Sequence, residues 1–261
     1  MIDLHCHLLP GLDDGPANME ESLALAERLV AEGVETVVAT PHVSPDYRTS
    51  AAAMAAAVAD VRAALAAAGL PLRVAPGAEI SFSILAELSR EELHRLTLGG
   101  GDSLLLESPY NAAAPFLEEA VFDVQVLGFR AVLAHPERSP VFQEQPARIA
   151  TLVERGALCC VNAGSVRGRF GTRVRATGLE LFRRGLVHAL ASDAHDLRGR
   201  PPALRGAFSD LEADLPGIHG QEGWFTRQAP AAVLSGDPLP ARPAPVAGRR
   251  SRRRLLPRLR R

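Results

Sequence analysis

The chain reads as an α/β protein, a distorted seven-unit (β/α) barrel built on parallel strands. Three observations predict it. Seven short β-like runs alternate with helix-patterned stretches, the runs are predominantly apolar, and histidines and carboxylates gather at or just past their C-terminal ends. Continuous apolar strands belong to parallel sheets covered on both faces, and barrel enzymes assemble their sites from the loops at that end.

The first run, Ile2–Leu4, leads directly into His5-Cys6-His7. In an extended strand, residues two apart point the same way, so both imidazoles can face one ion while Cys6 turns into the opposite layer. Asn18 with Glu21 three residues later is a capping signal, followed by Leu23, Leu25, Ala26, Leu29 and Val30 at helical spacing, with Gly33 as the stop. The run Glu35–Ala39 ends in Thr40-Pro41-His42, and Ala51–Ala68 is helical by its alanine content although its apolar face is poorly defined. Leu72–Ala75 precedes Gly77-Ala78-Glu79, Ser103–Leu106 precedes Glu107, and Ala131–Ala134 precedes His135-Pro136-Glu137-Arg138. Leu158–Val161 contains Cys159-Cys160, and Leu186–Ala191 runs into Ser192-Asp193-Ala194-His195, a second D/H-x-H spacing near the other end of the chain.

At 261 residues and 47% apolar composition the chain can fill one large core, and a single domain over residues 1–236 is expected. From Gly236 the sequence turns Pro- and Arg-rich. Residues 237–261 hold nine Arg and one Asp, or +8, so a chain of net charge −1 leaves about −9 on residues 1–236. An acidic body argues against a broad nucleic-acid surface, and the tail is expected to be a disordered basic extension able to touch anionic lipid. Three cysteines with no paired C-x-x-C give neither a disulfide framework nor a thiolate metal knuckle, which fits a reducing cytoplasm. No signal-peptide pattern opens the chain and no membrane-spanning run is expected.

The groups at or beyond the strand ends are His5, His7, Asp14, His42, Glu79, Glu107, His135, Asp193 and His195. Nine nitrogen and oxygen donors exceed the needs of one ion, so two or three divalent ions sharing bridging carboxylates are expected, with Glu79 and Asp193 as the bridges. Taken singly, His42 or Glu107 is more often a strand-end hydrogen-bonding residue, and Asp14 a turn residue before Gly15. Five of the eight histidines nevertheless fall at strand ends, and only His94, His188 and His219 do not.

These residues resemble the PHP superfamily, named for polymerase and histidinol phosphatase members, and more closely its bacterial capsule- and exopolysaccharide-associated protein-tyrosine phosphatases. The resemblance rests on His5-Cys6-His7-Leu8-Leu9-Pro10-Gly11-Leu12-Asp13-Asp14-Gly15-Pro16, Glu20-Glu21-Ser22-Leu23, Ala39-Thr40-Pro41-His42, Gly77-Ala78-Glu79-Ile80, Ala134-His135-Pro136-Glu137-Arg138, Asn162-Ala163-Gly164-Ser165 and Ala191-Ser192-Asp193-Ala194-His195, in order. It implies a barrel of PHP type and a cluster of up to three divalent metals, often manganese, with iron, zinc or cobalt as alternatives. It also implies hydrolysis of phosphotyrosine on a cognate, membrane-associated bacterial tyrosine kinase. The family's ligand pattern falls on the nine positions above, and its phosphate-binding arginine on Arg138. Val43, Ser139 and Cys160 stand where relatives often carry histidine, an aromatic residue and glutamine.

Thiolate chemistry is the usual rival for tyrosine phosphatases, but it needs Cys-x5-Arg. Six residues separate Cys160 from Arg167, seven separate Cys159 from it, and Leu12 stands at the required place after Cys6. Arg48 and Arg205 are ambiguous between substrate contact and solvated loop. Two other functions remain open on these residues: a PHP phosphatase for a small phosphomonoester such as histidinol phosphate, and a non-catalytic module binding a kinase.

Overall fold

The computed structural model describes residues 1–110 and 114–246. Its strands are β1 (Ile2–Cys6), β2 (Thr36–Ala39), β3 (His42–Val43), β4 (Arg73–Pro76), β5 (Glu79–Ser81), β6 (Ser103–Glu107), β7 (Arg130–Ala134), β8 (Leu158–Asn162) and β9 (Ala189–Ala191). They form a three-stranded sheet, β1-β2-β4, and a six-stranded sheet, β3-β5-β6-β7-β8-β9. Every pairing is parallel.

The two sheets are one ring of seven staves. β2 runs into β3 across Thr40-Pro41, and β4 into β5 across Gly77-Ala78, with hydrogen bonding continued through Thr40 N–H to Cys6 O (2.9 Å) and Glu79 N–H to Pro41 O (3.1 Å). The ring meets itself where Asp193 N–H donates to His5 O (2.8 Å) and His7 N–H to Ala194 O (2.9 Å). The sequence reading found seven runs but not the two breaks. Pro41 has no N–H to offer a ladder, and Gly77 lies so close to the neighbouring stave that a Cβ there would come within 2.7 Å of Val38 Cγ1. The last stave is also shorter than the apolar run suggests, since only Ala189–Ala191 of Leu186–Ala191 is strand.

Alternation along the staves sorts the core into two layers. Leu105, Val132, Ala134, Cys160, Ala189 and Ala191 face the barrel interior with Leu4, Val38 and Leu98, where Val233 of helix Ala229–Ser235 joins them. Leu104, Leu106, Leu133, Cys159 and Val161 face outward beneath the helices, and Cys6 joins that outer layer, opposite to the imidazoles beside it. Burial on both faces is why these strands show no polar alternation. Helix Met19–Ala31 begins at Asn18, whose side chain accepts Glu21 N–H (3.0 Å), while Glu21 reaches back to Ala17 N–H (2.9 Å). Helix Ala51–Ala68 is long and apolar enough to cross a membrane by length and composition. It nevertheless sits on the barrel wall through Met54, Val58, Val61 and Leu65, and its Arg62 donates to Val74 O (2.6 Å).

Of the basic extension, residues 237–246 run along the barrel: the Arg242 guanidinium lies 5.2 Å from the Trp224 ring centroid and donates to Val187 O. Residues 247–261, which carry eight of its nine arginines, lie outside the described residues.

Candidate metal centre

All nine side chains expected from strand ends converge at one mouth of the barrel. His5 closes toward His7 with their Nε2 atoms 3.2 Å apart, and Glu79 Oε2 lies 3.1 Å from His5 Nε2, 3.3 Å from His7 Nε2 and 3.3 Å from His42 Nδ1. His135 Nε2 meets the other Glu79 oxygen at 2.8 Å, Asp193 Oδ1 lies 3.3 Å from His5 Nε2, and Asp14 Oδ1 lies 3.2 Å from His195 Nε2 and 3.4 Å from His42 Nε2. Donor atoms fall into three groups, each within 4.8 Å of one another: His7, Asp14, His42 and His195; His5, His7, Glu79 and Asp193; and His42, Glu79 and Glu107. His7, His42 and Glu79 each belong to two groups, Asp193 to one, and His135 to none of the three.

The backbone is bent to achieve this. His135 and Asp193 each follow a stave directly or by one residue, and they are the only non-glycine residues with positive φ among the described residues, at 35° and 50°. Such conformations cost of order 1–3 kcal/mol each and persist where the surrounding structure imposes them. Here they turn the side chains from the stave back over the mouth.

Charge is arranged in the same sense. Burial would disfavour the ionised carboxylates, yet the imidazoles of His5 and His135 hold Glu79 and Asp193 well below the usual carboxylate range. Burial opposes protonation of His7, but the neighbouring Asp13 and Glu79 carboxylates push it up to about 10. Burial lowers His42, His135 and His195, while burial and the Glu79 charge push Glu107 up to about 7.

These residues fit a cluster of divalent cations. Glu79 Oε2, His135 Nδ1 and His195 Nε2 are buried without a hydrogen-bond partner, and two imidazole nitrogens face each other across 3.2 Å. Lone pairs buried in that state are costly unless a cation shares them. The donor set is imidazole and carboxylate with no sulfur, since Cys6, Cys159 and Cys160 are buried with thiols pushed up by burial, Cys159 to about 12.

Two neighbours were not singled out by strand-end reasoning. Asp13 accepts from His7 Nδ1 (2.7 Å), from His42 N–H (2.9 Å) and from Gly15 N–H (2.9 Å). A carboxylate can only accept, so the bond fixes the proton on His7 Nδ1 and directs Nε2 into the cluster, a common support for metal-binding histidines. Arg200 reaches Asp14 (3.1 Å) and Asp193 (3.2 Å) from beyond His195, a loop position with no spacing to mark it. Arg138, which sequence did suggest, donates to Asp193 Oδ2 at 2.7 Å, beside the Asn162 amide at 2.8 Å. Arg48 instead pairs with Glu87 on the surface, and Arg205 caps the end of helix Met19–Ala31 at Ala31 O and Glu32. His188 is buried at the opposite end, its Nδ1 accepting Cys159 N–H (3.0 Å), and His94 and His219 are exposed.

The family described as capsular polysaccharide synthesis, CpsB/CapC, matches residues 1–227. Tyrosine-protein phosphatase YwqE of Bacillus subtilis (strain 168) is 36% identical over 218 residues, covering 82% of this chain and 85% of the relative. Tyrosine-protein phosphatase CpsB of Streptococcus pneumoniae is 30% identical over 216 residues, covering 80% and 88%. A crystal structure from work on these two, described as unique metal-dependent tyrosine phosphatases, superposes with a TM-score of 0.82 at 32% identity, over 95% of this chain and 100% of that one. A β-aspartyl dipeptidase from Fervidobacterium islandicum AW-1, 17% identical with a TM-score of 0.55 over 89% of this chain and 72% of its own, shares the fold alone.

Proposed function

The chain belongs to the CpsB/CapC family of capsular polysaccharide synthesis proteins, and from that membership we propose how it works as a metal-dependent protein-tyrosine phosphatase. His5, His7, Asp14, His42, Glu79, Glu107, His135, Asp193 and His195 are the ligands of two or three divalent ions, most simply manganese, with iron, zinc or cobalt compatible with the same donors. The observation that carries this reading is the set of buried, unpartnered donor atoms at the mouth, Glu79 Oε2 foremost. Residues 1–236 are the catalytic domain.

Bound divalent ions supply Lewis-acid neutralisation of phosphoryl charge and a water of lowered pKa. The protein's own groups do the rest. Arg138 and Arg200 both donate to the Asp193 carboxylate, so their unused N–H groups can take non-bridging oxygens of a phosphomonoester, for which a planar guanidinium is suited. The Asn162 amide donates to Asp193 and holds it in place, and Asp13 holds His7. Water oxygen joins phosphorus as the bond to the tyrosine oxygen breaks on the opposite side. The departing phenolate, with a conjugate acid of pKa about 10, can leave as the anion and take its proton from solvent water, while the attacking water loses one proton to solvent and the other stays on the phosphate product.

The substrate is a phosphotyrosine-bearing protein, and a membrane-associated bacterial tyrosine kinase governing capsule or exopolysaccharide synthesis is the partner we propose, met in the cytoplasm. Three buried, unpaired cysteines accord with that compartment. The Arg-rich extension supplies a peripheral contact with anionic lipid. Turnover of a phosphotyrosyl peptide by manganese-loaded protein tests the reading. Arg138→Ala is expected to lower kcat/KM roughly 100-fold, the scale of losing one preorganised donor. Undiminished turnover removes Arg138 from the site, and a strong preference for small alkyl phosphomonoesters replaces the protein substrate with a metabolite.

A further inference from the structure

Two aromatic side chains from separate loops meet at the phosphate-binding arginine, and the reaction as derived gives them nothing to do. Tyr110 lies in the loop after β6, its ring centroid 5.4 Å from the Arg138 guanidinium carbon and 5.9 Å from the His135 ring. Phe170 comes from the turn before helix Thr172–Arg183 and lies 4.4 Å from the same carbon. Tyr110 is 50% exposed, and its hydroxyl makes no hydrogen bond among the described residues. An aromatic ring left half open at the rim of an acidic, histidine-lined mouth is costly to expose.

We infer that Tyr110 and Phe170 are specificity-determining residues that receive the phenyl ring of phosphotyrosine beside Arg138. The Arg138 side chain donates only to Asp193 among the described residues, which leaves guanidinium N–H groups for phosphoryl oxygens. A phosphoryl group held there carries its phenyl ring one bridging oxygen away, within the range of about 4.5–7 Å over which aromatic rings pack. An alkyl phosphomonoester bound through the same phosphoryl contacts would leave both rings unpaired. The mouth thus recognises phosphate through its charges and the aryl group through these two rings. The inference rests on the phosphatase reading and adds the source of its preference for aryl esters.

A structural role is distinguishable, because rings that merely hold Arg138 in place would affect every phosphate-like ligand alike. The test is binding to the manganese-loaded full chain of benzylphosphonate and of methylphosphonate, followed by titration calorimetry, for the wild type, Tyr110→Ala, Tyr110→Phe and Phe170→Ala. Aromatic pairing worth about 0.5–1.5 kcal/mol predicts that each alanine variant binds benzylphosphonate roughly 2- to 12-fold more weakly. Methylphosphonate affinity stays within about twofold, and Tyr110→Phe keeps the benzylphosphonate affinity. Equal weakening of both phosphonates, or weakening of neither, overturns the inference while leaving the phosphatase reading intact. A wild type that binds neither and turns over no phosphotyrosyl peptide overturns both.

Discussion

Asp13 and Asp14 are adjacent residues of one type with different work. Asp14 points its carboxylate at His42 and His195, and Asp13 turns away to fix the His7 tautomer. Nothing in the sequence separates a ligand from the residue that aims one, because the difference is one of side-chain direction within a turn. Asp13→Asn is expected to lower metal affinity roughly 10- to 100-fold while leaving the fold intact, measured by titration calorimetry. Unchanged affinity would show that Asp13 does not support His7. Arg200 was illegible for a related reason: it lies five residues past His195 in a loop, and only the closing of the ring brings it over Asp193. The cysteines were legible by spacing alone, and their burial agrees with that reading. Cys160→Ser is expected to retain phosphatase turnover within about threefold, since no thiolate takes part, and loss of turnover with metal still bound would contradict it.

At the level of elements, hydrophobic runs located all seven staves, because a strand buried on both faces has nothing polar to conceal it. What they did not reveal was interruption. Gly77 is where the chain passes closest to a neighbouring stave, and Gly77→Ala would force a Cβ to 2.7 Å from Val38 Cγ1 and 3.0 Å from Leu98 Cδ2. We expect a loss of about 1–3 kcal/mol in unfolding free energy from this overpacking, read by denaturant unfolding, and an unchanged midpoint would contradict the crowding. The turn after β7 carries its own signature. Glu137 is fully buried, accepts Asn162 N–H (3.1 Å), and burial pushes its carboxyl up to about 7 from an ordinary 4.5. Its folded-state pKa lies above the unfolded one, so the stability tied to its proton is complete below pH 4.5 and fades as pH rises through 7. Glu137→Gln has no proton to lose. Between pH 4.5 and 8 the metal-free variant should gain about 3 kcal/mol on the wild type, and parallel stability profiles would contradict that assignment.

For the molecule as a whole, the staves do two jobs at opposite ends. The interior and far end are packed by Leu4, Leu98, Leu105 and Val233, while the mouth gathers carboxylates and imidazoles with donor atoms of Glu79, His135 and His195 buried without a hydrogen-bond partner. On the proposed reading the fold presents the donors and bound cations would in turn stabilise the fold. With manganese at about 100 times its dissociation constant, linkage adds roughly 2.7 kcal/mol, or some 5–10 °C in melting temperature for a chain of this size. The convergence of residues scattered from His5 to His195 was legible because all of them but Asp14, which lies in the loop after β1, sit at or just past the C-terminal end of a stave. The residues that hold and flank them were not, since loops carry no period.

The most direct test is metal titration of the chelator-treated protein, following bound metal by elemental analysis and phosphate release from a phosphotyrosyl peptide in the same samples. Binding of two or three manganese equivalents, with turnover absent before and restored alongside them, is the predicted result. Turnover in the chelated protein, or restoration without bound metal, would contradict the assignment of these nine side chains.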